Sequence, residues 1–143
     1  MTTLNVGDIC CRYKDGVIPP VCFERKSKND AFGSFSKGYE RFRKEIFRAK
    51  EQNIQLIIII ECSFTSMLRG CKHSTVKGVS IIKRLWTIHW KYNIPTVYCK
   101  NREEMAIYIA EFFCHLYSKK PNWRPGAATP FPDLTTAEPG LPK

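Results

Sequence analysis

The spacing of apolar positions along the chain predicts strands that alternate with helices. Residues 8–13 and 21–26 carry the short apolar runs of strands, and a turn-rich segment separates them, so we expect an antiparallel hairpin. Residues 54–62 include four successive isoleucines, which suit a central strand buried on both faces. Residues 96–99 predict a further short strand after Pro95.

Helical periodicity occupies the intervening segments. We predict helices over residues 36–51, 75–92 and 101–118, with Ser36 and Asn101 as caps of the first and last. Residues 63–74 are interpreted as a basic loop at the carboxyl end of the central strand. The apolar faces comprise Tyr39, Phe42, Ile46 and Ala49 in the first helix; Val79, Ile82, Leu85, Trp86 and His89 in the second; and Met105, Ile109, Phe112, Phe113 and Leu116 in the third. This order predicts an α/β fold whose mixed central sheet has helices on both faces.

The character of the chain changes after residue 118. Six of the nine prolines lie in residues 121–143, where no apolar periodicity is visible. We therefore expect one domain over residues 1–118, followed by a Pro-rich disordered tail over residues 119–143.

The charge balance indicates an anionic partner. The formal net charge is +10, from 23 Lys and Arg against 13 Asp and Glu, and nucleic acid is the simplest polyanion to match it. The longest apolar run is too short to span a bilayer and no signal-peptide pattern is visible, so we expect no membrane association. An intracellular, cytoplasmic location follows (the host cytoplasm for a viral protein), and a nuclear one is also compatible.

The seven cysteines are odd in number and lie mostly in apolar segments, so they are interpreted as reduced, buried small hydrophobes. A zinc site is poorly supported, because Cys71-Lys72-His73 lacks a second pair of ligands and the chain has no C-x-x-C pair. His89 and His115 fall in helical segments and are interpreted as packing or surface residues.

The hairpin carries the candidate chemistry. Glu24 and Lys26 lie two positions apart on a strand and therefore share a face, while antiparallel pairing folds Asp8 back beside them. Carboxylates on adjacent strands can bind a divalent cation through oxygen, and Lys26 can orient the attacking water. A charged, solvated strand face is the commoner meaning of such a triplet when it occurs alone.

Several further positions agree with the chemical interpretation. They are Gly7-Asp8, Glu24-Arg25-Lys26-x-x-x-Asp30, Ser34, Gly38-Tyr39, and Glu61 after the central strand. Together they resemble the XPF-type branch of the PD-(D/E)XK nucleases over about residues 4–118, and most closely its short, stand-alone phage-type members. The resemblance implies a restriction-endonuclease-like fold and a metal-dependent, structure-selective endonuclease that cuts branched DNA such as Holliday junctions, flaps or forks.

The resemblance also implies roles for individual residues. Asp8, Glu24 and Glu61 would bind Mg²⁺ or Mn²⁺, Lys26 would activate water, and Arg25 and Asp30 would support the site. The cations proposed to contact branched or double-stranded DNA, which equally suit a solvated surface, are Lys28, Arg41, Lys44, Arg48, Arg69 and Lys72.

One departure from the family pattern bears on activity. Family members usually begin with a strand that ends in Asp-x-Arg-Glu, whereas residues 1–6 correspond to the segment just before the family's Gly-Asp, so we expect that strand to be absent. Glu61, Asp30 or Glu40 would then complete the metal site. The alternatives are a catalytically inactive DNA-binding module with the nuclease fold, and a non-nuclease assembly protein.

Aromatic residues in the last two helices suggest self-association. Proteins of the XPF family dimerise through the nuclease domain, and we expect a homodimer here. The residues on which this expectation depends are Trp86, Trp90, Phe112, Phe113 and Tyr117.

Overall fold

The computed structural model describes residues 7–120, which form a four-stranded sheet covered by helices. The strands are β1 (Ile9–Cys10), β2 (Val21–Ser27), β3 (Gln55–Glu61) and β4 (Thr96–Cys99), in the spatial order β1-β2-β3-β4. β1 runs antiparallel to β2, and β2, β3 and β4 are parallel to one another. The predicted mixed sheet is therefore present. Residues 1–6 and nearly all of the predicted tail lie outside the described residues.

Five helices connect and flank the strands. They are α1 (Lys28–Ser34), α2 (Tyr39–Glu51), α3 (Phe64–Arg69), α4 (Gly78–Tyr92) and α5 (Arg102–Ser118). None of the helices within residues 7–120 is both long enough and apolar enough to cross a bilayer.

Several predicted boundaries are wrong, among them the strand predicted over residues 8–13 and the start of the helix predicted from residue 75. Local hydrogen bonds explain two further differences. Gly38 precedes α2 as its N-cap, whereas the Ser36 hydroxyl donates to the Phe32 carbonyl at the end of α1. The segment predicted as a basic loop begins with α3, because the Ser63 hydroxyl accepts the Ser66 N–H at 3.1 Å and caps that helix.

Helices α1 to α4 cover one face of the sheet. Their buried residues pack against the alternate β3 residues Leu56, Ile58 and Ile60. The predicted apolar face of α4 is only partly right. Its buried residues are Gly78, Ile81, Ile82, Leu85 and Ile88, whereas Val79 and Trp86 are exposed by 39% and 56%. The two candidate stripes differ by a small rotation about the helix, which periodicity alone does not resolve.

Helix α5 covers the opposite face of the sheet, as predicted for its apolar residues. Met105, Phe113 and Leu116 are buried against Phe23, Ile57 and Ile59, with other apolar side chains around them. Phe112 and Phe113 each contact the Phe23 ring edge-on, with centroids 5.3 and 5.6 Å apart. These two aromatic residues fill the core, so they do not form one association surface with Trp86 and Trp90, which belong to a helix on the other side of the sheet.

The expectation that all the cysteines are reduced is wrong for one pair. Cys10 and Cys22 face each other across the antiparallel β1–β2 pair with Cα atoms 4.7 Å apart, and a disulfide joins them. Such pairing depends on strand register, which the sequence separation of 12 residues does not reveal.

Gly78 permits the close approach of α3 and α4. A Cβ atom at this position would clash with the backbone carbonyl oxygen of Met67, which no side-chain rotation can relieve. We expect Gly78→Ala to lower the free energy of unfolding by about 1–3 kcal/mol through overpacking. Chemical denaturation measures the change. The matched control is Gly33→Ala in α1, where a Cβ meets nothing within 4 Å, and it should be neutral or stabilising. Equal effects of both substitutions would contradict this account.

Candidate active site

Glu24 and Lys26 project from β2 toward the side of the sheet that α2 covers. Their register partners on β3 are Ile58 and Ile60, which belong to the core beneath α2. The Lys26 Nζ atom lies 3.2 Å from Glu24 Oε2 and 5.8 Å from the centroid of the Phe42 ring. The predicted shared face of these two side chains is therefore present, and it is largely enclosed.

Backbone contacts hold Asp8 beside β2. Its N–H donates to the Phe23 carbonyl at 2.8 Å, and its Oδ2 accepts the Arg25 N–H at 3.0 Å. Gly7 makes this approach feasible, since it has a φ of 74° and a Cβ there would lie 2.7 Å from the Cβ of Cys22. Extending the β1–β2 register by one residue places Asp8 opposite Glu24.

Glu24 is a buried carboxyl group among other acids. The residue as a whole is only 4% exposed. Burial, together with the negative charges of Glu45 and Asp8, raises the pKa of Glu24 to about 7, although Lys26 opposes the shift. Within the described residues, Glu24 Oε1 is buried and has no hydrogen-bond partner.

Glu45 is a member of this group that the sequence analysis missed. It lies on α2 and lines the same cleft as Glu24 and Lys26. Its position between the buried residues Phe42 and Ile46 is the signal that would have pointed to it, because a polar residue bordering a buried helical stripe reaches toward the underlying sheet.

The donor set suits a hard divalent cation. Glu24 has a buried carboxylate oxygen without a partner among the described residues, and Glu45 and Asp8 are close enough to raise the pKa of its carboxyl group. A bound positive charge would stabilise such a group in its ionised form. Within residues 7–120, however, no group of three or more His, Cys, Asp or Glu side chains is arranged closely enough to hold a metal ion by itself. A cation bound here would take its remaining oxygen ligands from water and substrate, as Mg²⁺ commonly does.

Cations line the walls of the cleft in which Glu24 lies. This carboxylate cleft has a volume of about 640 Å³, with Glu24, Lys26, Asp30 and Glu45 among its lining residues. Lys37, Arg41 and Arg48 also line it. Two of the predicted DNA contacts, Arg41 and Arg48, are thus beside the acids, whereas Lys44 is exposed elsewhere on α2.

Glu61 lies apart from the other predicted metal ligands. It alternates with the β3 residues Ile57 and Ile59, which form the core beneath α5, so it projects from the opposite face of the sheet from Glu24. Its Oε1 accepts a charge-assisted hydrogen bond from the Arg25 guanidinium at 2.7 Å, and the Arg102 Nε atom is 3.9 Å away. Arg25 therefore holds Glu61 rather than Asp30. The alternation of side chains along β2 and β3 places both Arg25 and Glu61 on the face of the sheet that α5 covers.

The other predicted residues separate into two groups. Of the candidate substitute acids, Asp30 lines the carboxylate cleft, whereas Glu40 has an 80% exposed side chain that pairs with Arg43 at 3.3 Å. Lys28, Arg69 and Lys72 line a separate cavity of about 830 Å³, where the Lys28 ammonium donates to the Ser66 hydroxyl at 3.0 Å.

Comparisons with known proteins identify the family and the fold. The family model described as ERCC4 domain matches residues 1–112. No curated protein matches the chain. Among solved structures, XPF from Aeropyrum pernix in complex with DNA is similar, with a TM-score of 0.55 and 19% sequence identity over 73% of this chain. The match spans 48% of that longer XPF chain. The likeness confirms the predicted fold.

The family match confirms the resemblance that the hairpin motif indicated. It includes Asp8, the strand that carries Glu24 and Lys26, and the α2 residue Glu45. Because the match extends over residues 1–112 of a 143-residue chain, the chain belongs to the ERCC4 domain family, whose fold is that of the XPF-type PD-(D/E)XK nucleases.

Proposed function

We propose that the chain is a metal-dependent, structure-selective DNA endonuclease that hydrolyses phosphodiester bonds in branched DNA such as Holliday junctions, flaps or forks. The observation that carries the proposal is the buried Glu24 carboxyl group, which lies 3.2 Å from the Lys26 ammonium and has a pKa raised by burial and by the charges of Glu45 and Asp8. Family membership supports the reaction class. The proposed nuclease domain is residues 1–118.

Each side chain has a proposed role in hydrolysis. Asp8 and Glu24 would hold a Mg²⁺ or Mn²⁺ ion, and Glu45 would hold water at the opposite wall of the cleft. When bound, the ion acidifies the attacking water and neutralises charge on the phosphate. The Lys26 ammonium, fixed by Glu24, would donate a hydrogen bond to the attacking water and stabilise its hydroxide form.

The cations of the carboxylate cleft support DNA as the substrate. Lys37, Arg41 and Arg48 line the same depression as the acids, so phosphates on either side of the scissile bond would be bound electrostatically. The XPF structure from Aeropyrum pernix, which was solved with DNA, provides independent support for this partner. An enzyme with this substrate acts inside a cell, so an intracellular location is part of the proposal.

One observation favours a second candidate function. Because residues 7–120 hold no ready-made group of three metal ligands, a nuclease-fold module that binds branched DNA without cutting it is the alternative. Such a module would bind junctions in a salt-sensitive manner and would be unaffected by substitutions at Glu24.

A cleavage assay separates the two functions. End-labelled four-way junction, flap and linear duplex of matched sequence are incubated with the protein in Mg²⁺, Mn²⁺ or EDTA. The proposal expects metal-dependent cutting of the branched substrates and much slower cutting of the duplex. Binding without cutting under every metal condition would overturn the nuclease proposal and support the binding module.

Glu45 provides a test of the metal site that does not depend on catalysis. We expect Glu45→Gln to weaken Mn²⁺ binding by about 10–100-fold, because it removes a negative charge beside Glu24. Isothermal titration calorimetry measures the affinity. Glu51→Gln, an exposed position at the end of α2, is the matched control and should bind Mn²⁺ as the wild type does. Equal affinities for all three proteins would exclude Glu45 from the site.

Self-association is a separate part of the proposal. Val79, Trp86 and Trp90 are exposed by 39%, 56% and 40%, and their spacing aligns them along one side of α4. We propose that this apolar strip pairs two copies of the chain. Analytical ultracentrifugation should find a dimer that the double substitution Trp86→Gln and Trp90→Gln converts to a monomer. A monomeric wild type at micromolar concentration would exclude the homodimer.

A further inference from the structure

A second, strongly basic depression lies next to the carboxylate cleft. An intervening cavity of about 380 Å³ shares Gly33 and Lys37 with the carboxylate cleft, and Cys71 and residues 73–76 with the larger cavity between α1, α3 and α4. Asn29 lines all three depressions. The three depressions are therefore neighbours, in a row from the acids to the α3–α4 segment.

Four cations line the cavity between α1, α3 and α4, which we call the basic groove. They are Lys28, Arg69, Lys72 and Lys77, and no Asp or Glu is among the residues that line this cavity. None of the ion pairs within residues 7–120 involves any of the four. The Lys28 hydrogen bond to the Ser66 hydroxyl leaves its charge uncompensated. The groove therefore presents an uncompensated positive charge to solvent.

The N-terminus of α4 adds to the positive electrostatic potential of the basic groove. Lys77 is the N-cap of this 15-residue helix, and no side-chain hydrogen bond caps the helix. Gly78, which lines the groove, allows this helix end to lie close to α3. Unpaired N–H groups at a helix N-terminus favour anions, so their effect reinforces that of the four cations.

The lining of the groove indicates what kind of contact it makes. Among the described residues that line it, the apolar ones include the aliphatic Leu68, Val76 and Val79, and the one aromatic ring is the imidazole of His73. Bases of an unpaired strand are usually held by stacking on aromatic rings, whereas phosphates are held by Lys, Arg and helix N-termini. With four cations and a single small ring, the groove suits a phosphate backbone better than a row of stacked bases.

We propose that the basic groove is an accessory subsite that holds the phosphate backbone of a DNA arm leaving the carboxylate cleft, without regard to its sequence. The inference rests on the proposed nuclease function and adds to it a place for the substrate beyond the scissile bond. The groove would fix one arm of a branched substrate relative to Glu24. Its contribution to binding would be electrostatic and sensitive to salt.

The test removes the charge of the groove and measures binding without cleavage. The triple variant Arg69→Gln, Lys72→Gln and Lys77→Gln is titrated with a fluorescent four-way junction in EDTA at several salt concentrations. Each lost phosphate contact should lower the slope of log affinity against log salt by about one, so we expect a decrease of about three. The sequence of the junction arms should not change this result.

A matched variant separates the groove from net charge. Lys50→Gln, Lys83→Gln and Lys91→Gln together remove the same number of exposed cations, none of which lines the cleft or the groove, and should leave the slope close to that of the wild type. Shortening all the arms of the junction to about five base pairs should weaken binding by the wild type and have much less effect on the groove variant.

The outcomes for the groove and for the nuclease are distinguishable. Equal slopes for the groove variant and the matched variant, in a protein that still cuts junctions, would overturn the groove alone. A reduced slope in a protein that binds junctions and never cuts them would support the groove and refute the nuclease. Failure of the wild type to bind any DNA would overturn both.

Discussion

Replacing Glu24 with glutamine is expected to slow junction cleavage by about 10²–10⁴-fold in single-turnover assays. The substitution keeps the shape of a side chain that is 6% exposed and removes the charge that would hold the cation, so the loss should be in the chemical step. Lys26→Ala should cost about 10²–10³-fold, because it removes the hydrogen-bond donor that lies 3.2 Å from Glu24.

Glu40→Gln is the control for these two variants. It makes the same chemical change as Glu24→Gln at a side chain that is 80% exposed and paired with Arg43, and it should cut junctions at the wild-type rate. Circular dichroism spectra should match for all the proteins. Wild-type cleavage by Glu24→Gln and Lys26→Ala would show that the chemistry lies elsewhere.

The stability of the protein is expected to decrease as the pH rises from about 4.5 to 7. Glu24 has a pKa of about 7 in the folded chain against an ordinary value of 4.5. Below pH 4.5 the carboxyl group is neutral in both states and has no effect. Between these values only the unfolded chain releases the proton, so the free energy of unfolding decreases, by of order 3 kcal/mol in total. Urea denaturation across this range measures the decrease.

Two comparisons assign that decrease to Glu24. Glu24→Gln is neutral at every pH and should remove most of the slope between pH 4.5 and 7, whereas Glu40→Gln should leave it unchanged. At pH 8, a hundred-fold excess of Mn²⁺ over its dissociation constant should stabilise the wild type by about 2.7 kcal/mol and Glu24→Gln far less. A pH slope that persists in Glu24→Gln would exclude this carboxyl group as its source.

Local patterns were sufficient for most of the fold. The isoleucine run of β3, the Asn101 cap of α5 and the turn between β1 and β2 each depend on residues that are close in sequence. The prediction of a helix end failed where two neighbouring helices offer partners to the same hydroxyl. Ser36 has the chemistry of a cap, yet its hydroxyl bonds to the preceding helix.

The candidate site shows the same division. Glu24 and Lys26 share a face because side chains alternate along any strand, so their pairing was predictable. The role of Glu45 was not, since its place beside Phe42 and Ile46 shows that it borders the buried side of α2 but not that Glu24 lies beneath it. The nearness of the basic groove to the carboxylate cleft likewise depends on how distant segments pack.

The sequence by itself determined the strands, the three long helices α2, α4 and α5, and the pair of charged side chains on β2, because these follow from spacing along one segment. The tertiary structure alone decided which acids meet. Glu61 lies at the end of β3, where the sequence analysis expected a ligand for the same metal as Glu24. The register of β3 against β2 instead places it on the face that α5 covers, where it contacts Arg25. Alternation fixes the faces within a strand, whereas the alignment of two strands depends on the packing of the whole sheet.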